Sequence, residues 1–278
     1  MIIDGNALAK KILTRLKTRI KQQGIKPCLA IVAVGYHEPS YYYFRKIEKE
    51  AASIGIRVEK HLLLYDAPQD AIIHSIQSLN TTPRITGILL QFPLPPHINE
   101  TEVMQALAPS KDVDGFHPQY RKDLMEGRPK ILPPVYGAIL ELIKATKKKW
   151  QGKTAVALVH SETFGTPLVA LLQHHHIHTT VHVVELPAQV RTRRILSTIK
   201  GADILITALG FPEIIQEHDL TPGVVVLDIG FTRKGTTVKG DVGIDPTSSL
   251  PSFITPVPGG VGPVTAAMLL KNVVETAR

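Results

Sequence analysis

The sequence predicts an α/β protein of two lobes. Helical and strand patterns alternate along the chain. A polar, turn-rich stretch from Lys111 to Pro118, followed by weakly periodic residues 118–134, interrupts that alternation, and a fresh strand–helix–strand run begins at Thr154. Taken in order, Asp4 caps a helix whose apolar Leu8, Ile12, Leu16 and Ile20 recur every four positions before Gly24 ends it. Cys28–Val34 is a continuous apolar run, the mark of a strand buried on both faces in a parallel sheet. A helix over 40–53, a strand over 58–64, a helix over 69–79 and an apolar strand over 87–91 come next. Pro95 and Pro96 lack N–H donors and force residues 91–96 out of regular structure, and Asn99 starts a helix to Leu107. Beyond the break, a helix over 137–145 precedes the strand Thr154–Val159, a second helix, and strands over 181–184, 203–207 and 224–228. Gly259 and Gly260 precede a last helix over 264–275.

Composition narrows the function. The chain has 278 residues, 44% hydrophobic and 20% charged, which excludes a disordered chain. No apolar run approaches the ~20 residues of a membrane helix, so no membrane partner is expected. The start, Met1-Ile2-Ile3-Asp4-Gly5, lacks a signal-peptide layout, and the single cysteine, Cys28, permits no internal disulfide; a cytoplasmic protein is expected. Lys and Arg outnumber Asp and Glu, 32 to 24, a surplus suited to nucleic acid or to an anionic small molecule. The charge is dispersed, its one dense run, Lys147-Lys148-Lys149, falls in an expected loop, and no nucleic-acid motif is present. His174, His175, His176 and His178 have no carboxylate or cysteine beside them and read as a solvated helix end, so no metal is expected.

One stretch suggests a nucleotide. The strand ending at Val159 runs into His160-Ser161-Glu162-Thr163-Phe164-Gly165-Thr166-Pro167 and then a helix, where an open parallel sheet offers a helix N-terminus to a pyrophosphate. The GxGxxG fingerprint is missing; Gly165 is expected as a loop glycine. Glu185 lies 20 residues on, at a strand end, where an acid accepts the ribose hydroxyls of NAD and repels the 2′-phosphate of NADP. An ordinary βαβ turn and a solvated strand end explain the same residues.

Several segments together resemble one family. Val34-Gly35 with Tyr43 eight residues on, Gly87-Ile88-Leu89-Leu90-Gln91-Phe92-Pro93-Leu94-Pro95, Lys111-Asp112-Val113-Asp114-Gly115-Phe116 and Thr255-Pro256-Val257-Pro258-Gly259-Gly260-Val261-Gly262-Pro263-Val264-Thr265 are similar to motifs of the bifunctional methylenetetrahydrofolate dehydrogenase/cyclohydrolase (FolD) family. The resemblance spans almost the whole chain. It implies an N-terminal folate-binding catalytic lobe (residues 1–118, completed by helix 264–278), a Rossmann-type NAD(P)-binding lobe (137–258), a cleft between them, and a homodimer. It implies oxidation of 5,10-methylenetetrahydrofolate with NAD or NADP, then hydrolysis of the methenyl product. Tyr43, Gln91 and Asp114 are the implied catalytic and folate-binding residues, joined by Pro258, Gly259, Gly260 and Thr265; His160, Ser161, Gly165, Thr166, Pro167 and Glu185 fall to the cofactor. The physical logic fits: a flat pterin stacks on Tyr43, its ring N–H groups suit a carboxylate, and its glutamate tail suits a basic protein. Core packing for Tyr43, a turn-stabilising amide for Gln91 and an Asx-turn for Asp114 are the competing structural roles.

Three departures from the family matter. Its catalytic lysine, four residues after the tyrosine, is Ile47, which can neither accept a proton nor carry a charge. Lys46 is rotated by about 100° on a helix and is the one candidate for a displaced base. Pro133 and Pro134 stand where the family has cysteine and threonine, and Val159-His160-Ser161 where it has Gly-Arg-Ser. Losing that arginine removes a cation suited to a 2′-phosphate, so NAD is favoured. The sequence therefore predicts a methylenetetrahydrofolate dehydrogenase with weak or lost cyclohydrolase activity. The alternatives are the full bifunctional enzyme with a displaced base and a non-catalytic folate-binding paralogue.

Overall fold

A computed structural model describes every residue except Tyr36, His37, Thr236, Pro246, Thr247 and Arg278; the side chains of residues 38–43 and of Lys234 also lie outside its description. The chain divides into two units. Lys10–Pro134 with Ala266–Arg278 make the first, and Met1–Ala9 with Val135–Thr265 the second.

The first unit runs α1 (Gly5–Gln23, begun in the second unit), β1 (Cys28–Val34), α2 (Glu38–Ile54), β2 (Arg57–Leu63), α3 (Gln69–Thr81), β3 (Gly87–Leu90), α4 (Glu100–Ala106) and α5 (Pro118–Met125). Its sheet has the order β2-β1-β3, all parallel. Central β1 is buried along almost its whole length, as its unbroken apolar run requires. Ala30, Val32, Ile72, Ile76, Ile88 and Leu107 are among the side chains of its core. Asp4 does cap α1, its Oδ1 accepting the Ala7 N–H at 3.0 Å, and Asn99 caps α4 through Thr101 and Glu102. The weakly periodic residues 118–134 were not expected to form a helix. Pro118 nevertheless opens α5, whose cap is the His117 ring accepting the Gln119 N–H at 3.2 Å.

The second unit holds α6 (Pro134–Ala145, begun on the last residue of the first unit's main stretch), β4 (Thr154–Val159), α7 (Glu162–His174), β5 (His178–Val183), α8 (Pro187–Val190), α9 (Arg193–Lys200), β6 (Ile204–Ala208), β7 (Ile215–Gln216), β8 (Val225–Asp228), β9 (Thr232–Lys234), β10 (Thr237–Lys239), β11 (Val242–Gly243) and β12 (Phe253–Ile254). Its main sheet is parallel, in the order β12-β8-β6-β4-β5. The chain leaves β4 for β5 on one side and resumes at β6 on the other, which sets a topological switch point outside the carboxyl ends of β4 and β6. Residues 1–9, read from the sequence with the first lobe, lie here: Ile2 bridges Ile254, and the Ile3 N–H reaches Ile254 O at 2.8 Å. The last helix, α10 (Val261–Glu275), starts three residues before the expected 264 and passes from the second unit into the first. No helix among the described residues is long and apolar enough to cross a membrane.

Candidate functional site

In the first unit, the segment after β3, the turn at residues 112–116 and the Pro133 segment come together. Gln91 follows β3, its N–H bonded to Val32 O at 2.9 Å, and is half-buried. Its side-chain amide donates to the adjacent Phe92 carbonyl, the local turn contact that competes with a ligand role. Residues 112–113 run beside β3 through an Ile88–Asp112 bridge; a β-carbon at Gly87 would sit 2.4 Å from Val113 Cγ1, so this approach needs glycine. Phe92 and Phe116 meet edge-to-face at 6.3 Å and join the Gln91 and Asp114 segments. Gly115 has φ +71°, and a β-carbon there would lie 3.0 Å from Pro133 N, which brings Pro133 beside the same turn.

The turn is held by Asp112, not by Asp114. Asp112 is 1% exposed; Oδ1 accepts the N–H groups of Asp114 and Gly115 at 3.0 and 2.9 Å, and Oδ2 accepts that of His117 at 2.8 Å. Lys111 donates to Leu79 O and Thr82 O at 2.9 and 2.8 Å, closing the carboxyl end of α3. The Asx-turn thus belongs to Asp112, and among the described residues no donor reaches the Asp114 carboxyl. Asp114 keeps part of its surface, yet the close packing around its carboxyl and then the Asp112 charge push its pKa up to about 7. A carboxyl poised there either accepts or donates a hydrogen bond near neutral pH.

Ile47 is 0% exposed, among the largest fully buried side chains. Lys46 faces outward with 43% of its side chain exposed, 4.0 Å from Glu50 one helical turn on. The Tyr43 side chain lies outside the described residues. Pro133 and Pro134 are buried. Sequence reasoning missed Asp112 as the anchor, and also Asn272 of α10. That 4%-exposed amide donates to Val113 O at 2.8 Å and Leu132 O at 2.9 Å, tying the Asp114 turn to the Pro133 segment. An asparagine beside Lys271 in the otherwise apolar stretch Met268–Val274 was the available signal.

In the second unit, Ser161 is the N-cap of α7, its Oγ accepting the Phe164 N–H at 3.4 Å. Gly165 is not the loop glycine that was expected. It lies inside α7, where a β-carbon would fall 2.7 Å from Val181 Cγ2 and 3.0 Å from Val159 Cγ2. It therefore lets the helix pack closely on β4 and β5, the role of the last glycine in a dinucleotide fingerprint. Thr166 and Pro167 are also helical, the first exposed and the second buried. The cradle fits a dinucleotide: a capped helix start facing the switch point, pressed onto the sheet by a glycine. His160 is exposed, its N–H bonded to Ala208 O at 3.1 Å and its ring edge-on to Phe211 at 6.3 Å. Glu185 is exposed two residues past β5, its N–H held by Gln189 Oε1 at 2.7 Å. Gly259 has φ +109°, and Gly260 faces Pro256 O, where a β-carbon would sit 2.6 Å away; Thr265 Oγ1 donates to Val261 O at 3.1 Å. Cys28 is buried, its thiol pKa raised by that burial and then by Glu59. Among the described residues no cluster of three His, Cys, Asp or Glu is placed to hold a metal.

Two parallel α/β units, one with a glycine-packed helix at a sheet switch point, define a two-domain dinucleotide-binding protein. Residues 3–114 match the model of the tetrahydrofolate dehydrogenase/cyclohydrolase catalytic domain, and residues 133–278 that of its NAD(P)-binding domain. The chain is 39% identical over 281 residues to the bifunctional protein FolD of Acetivibrio thermocellus, covering 100% of this chain and 96% of that one. Among solved structures, the bifunctional FolD enzyme of Campylobacter jejuni is 34% identical, with a TM-score of 0.92 over 100% of this chain and 98% of that one. The Trypanosoma brucei enzyme, solved with NADP and an inhibitor, is 30% identical, with a TM-score of 0.91 over 99% and 96%. The chain belongs to the tetrahydrofolate dehydrogenase/cyclohydrolase family, and its fold class, one-carbon folate setting and NAD(P)-binding domain follow from that membership.

Proposed function

We propose that this protein is a methylenetetrahydrofolate dehydrogenase, homodimeric and favouring NAD, whose methenyltetrahydrofolate cyclohydrolase activity is weak or lost. The observation that carries the second half is Ile47, aliphatic and 0% exposed at the position of the family lysine. The two reactions ask different things of the chain. In the first, NAD, when bound, would supply the hydride acceptor for the methylene carbon. The electron pair of one C–H bond leaves, the neighbouring folate nitrogens take up the positive charge, and the protein moves no proton. Alignment of the two carbons is its main task. Asp114 and Gln91 hold the pterin. Ser161 and the first turn of α7 take the pyrophosphate, and Glu185 takes the ribose hydroxyls.

Hydrolysis instead adds water to that carbon and breaks a C–N bond, so protons must be taken and returned. Ile47 supplies no such group, and Lys46 is turned outward toward Glu50. The test follows loss of methenyl absorbance in wild type, Ile47→Lys and Lys46→Ala, beside NADH formation from methylenetetrahydrofolate. Wild type is expected to form NADH and to hydrolyse near the uncatalysed rate. Ile47→Lys should raise hydrolysis, by up to the about 10²–10⁴-fold of general acid–base help. Fast wild-type hydrolysis that collapses in Lys46→Ala makes Lys46 a displaced base and the protein bifunctional. Folate binding with no NADH formed makes it a non-catalytic paralogue, the reading that the loss of side-chain chemistry at Pro133 and Pro134 favours.

A further inference from the structure

The second unit buries two carboxylates that hydride transfer does not use. Asp228, at the end of β8, and Asp241, just before β11, are 3% and 0% exposed. Asp228 Oδ1 accepts the N–H groups of Gly230 and Asp241 at 2.9 and 3.1 Å and the Thr207 hydroxyl at 3.1 Å; Oδ2 accepts the Val242 N–H at 3.0 Å. Asp241 Oδ2 accepts the Leu209 N–H at 2.7 Å and its Oδ1 the Phe211 N–H at 3.0 Å. The two interlock through glycines. A β-carbon on Gly230 would fall 2.2 Å from Asp241 Cγ, and one on Gly240 2.0 Å from Asp228 Oδ2.

Burying two like charges without a cation is costly unless their oxygens are saturated. Here nearly every donor is a backbone N–H, so what the pair fixes is the course of the chain. The segment it fixes is 209–211, directly after β6 and therefore one lip of the switch point. Its other neighbour there is His160, joined to it through Ala208 O and the Phe211 ring.

We propose that Asp241, braced by Asp228, is a positioning residue for the dinucleotide: it sets the 209–211 lip beside His160 in the form that cofactor binding requires. The inference rests on the cofactor reading above. It carries a pH dependence. Burial and then the Asp241 charge raise the Asp228 pKa to about 6, and burial raises that of Asp241. Around them stand Thr207 on β6, Thr255 Oγ1 accepting the Asp228 N–H, and His160 at the lip. Lys239 and Glu213 flank the turn, paired with each other at 2.6 Å, and Arg191 pairs with Asp219 beyond β7. A proton on the pair sets an O–H where a backbone N–H needs an acceptor, and the lip loosens.

The test titrates the purified full chain with NAD, by calorimetry, in wild type, Asp241→Asn, Asp228→Asn and His160→Gln. In Asp241→Asn an amide N–H must face a backbone N–H. The NAD Kd and KM should rise about tenfold, the scale of one hydrogen bond to a charged group, with kcat at saturating NAD within about twofold. Wild-type NAD affinity should fall between about pH 7.5 and 5.5. Asp228→Asn should be weak at both ends and flat, whereas His160→Gln should keep the wild-type slope. A folded Asp241→Asn that binds NAD as wild type does overturns the inference alone. So does an Asp228→Asn that keeps the slope, and this arm decides if Asp241→Asn does not fold. A wild type that binds no NAD overturns the cofactor reading and the inference with it.

Discussion

In the first unit Asp112 and Asp114 share one turn; in the second Asp228 and Asp241 share one cluster of loops. Asp228 meets four donors, three of them backbone N–H groups, and Asp241 two, so both carboxylates are committed to the chain. Asp112 meets three, and its neighbour Asp114 meets none among the described residues. All four carboxyls are raised in pKa, each by burial first. What differs is whether the second acid is bound to the chain or left over. A saturated carboxylate shapes its surroundings. An unsaturated one is open to something the chain does not supply.

The sharpest way to break this comparison is to remove each anchor. Asp228→Ala strands four donors and Asp112→Ala three, at about 1–3 kcal/mol for each buried group left unpaired, so both should lose several kcal/mol in urea unfolding, Asp228→Ala the more. A loss below about 1 kcal/mol in either would show that the donors find other partners.

Asp114→Ala should behave in the opposite way. Folate affinity, by calorimetry, should fall by about 1–3 kcal/mol, while the fold persists. The folded pKa of Asp114, about 7, lies above its ordinary 3.8, so the folded chain holds an extra proton between those values. The stability linked to that proton is whole at the acid end and is lost as pH rises through about 7. Asp114→Ala should therefore melt above wild type beyond about pH 7, with the gap closing toward pH 4. A variant that melts lower at every pH would move Asp114 into the class of Asp112.

The smallest effect is expected at Glu185, an acid with no burial to resist. Glu185→Ser should narrow the preference for NAD over NADP, read as the ratio of the two Kd values, and leave the melting temperature unchanged. Tighter NADP than NAD binding by wild type would remove the basis for the NAD assignment.

Some of this could be read before any coordinates. Cys28–Val34 and Thr154–Val159 match their predicted bounds because a strand covered on both faces is an unbroken apolar run. Asn99 and Asp4 announced their helices by side-chain chemistry alone. Helix α9 was missed although Ile195, Leu196 and Ile199 share one helical face, because it has only eight residues, about two turns. Strand β5 begins at His178, earlier than the predicted 181, because its first residues lie on a sheet edge and need not be apolar. Gly165 looked like a loop glycine because the sequence does not show which neighbour a missing side chain makes room for. Asp112, Asp228 and Asp241 act mainly on backbone N–H groups, which every residue but proline carries, so no partner residue type marks them.

Asn272 has one more consequence, for the order in which the molecule is made. Its amide bonds to Val113 and Leu132 across sequence separations of 159 and 140 residues. The ion pair between Arg19 and Glu275, at 3.5 Å, spans 256. A chain leaving the ribosome has residues 10–134 in hand well before the helix that completes them. The Asp114 turn and the Pro133 segment must wait through synthesis of the whole second unit before Asn272 arrives to clamp them. Contacts so far apart in sequence form late and raise the contact order of the first unit, whereas residues 135–265 need only the first nine residues, already made. The first unit is thus completed only after α10 has been made.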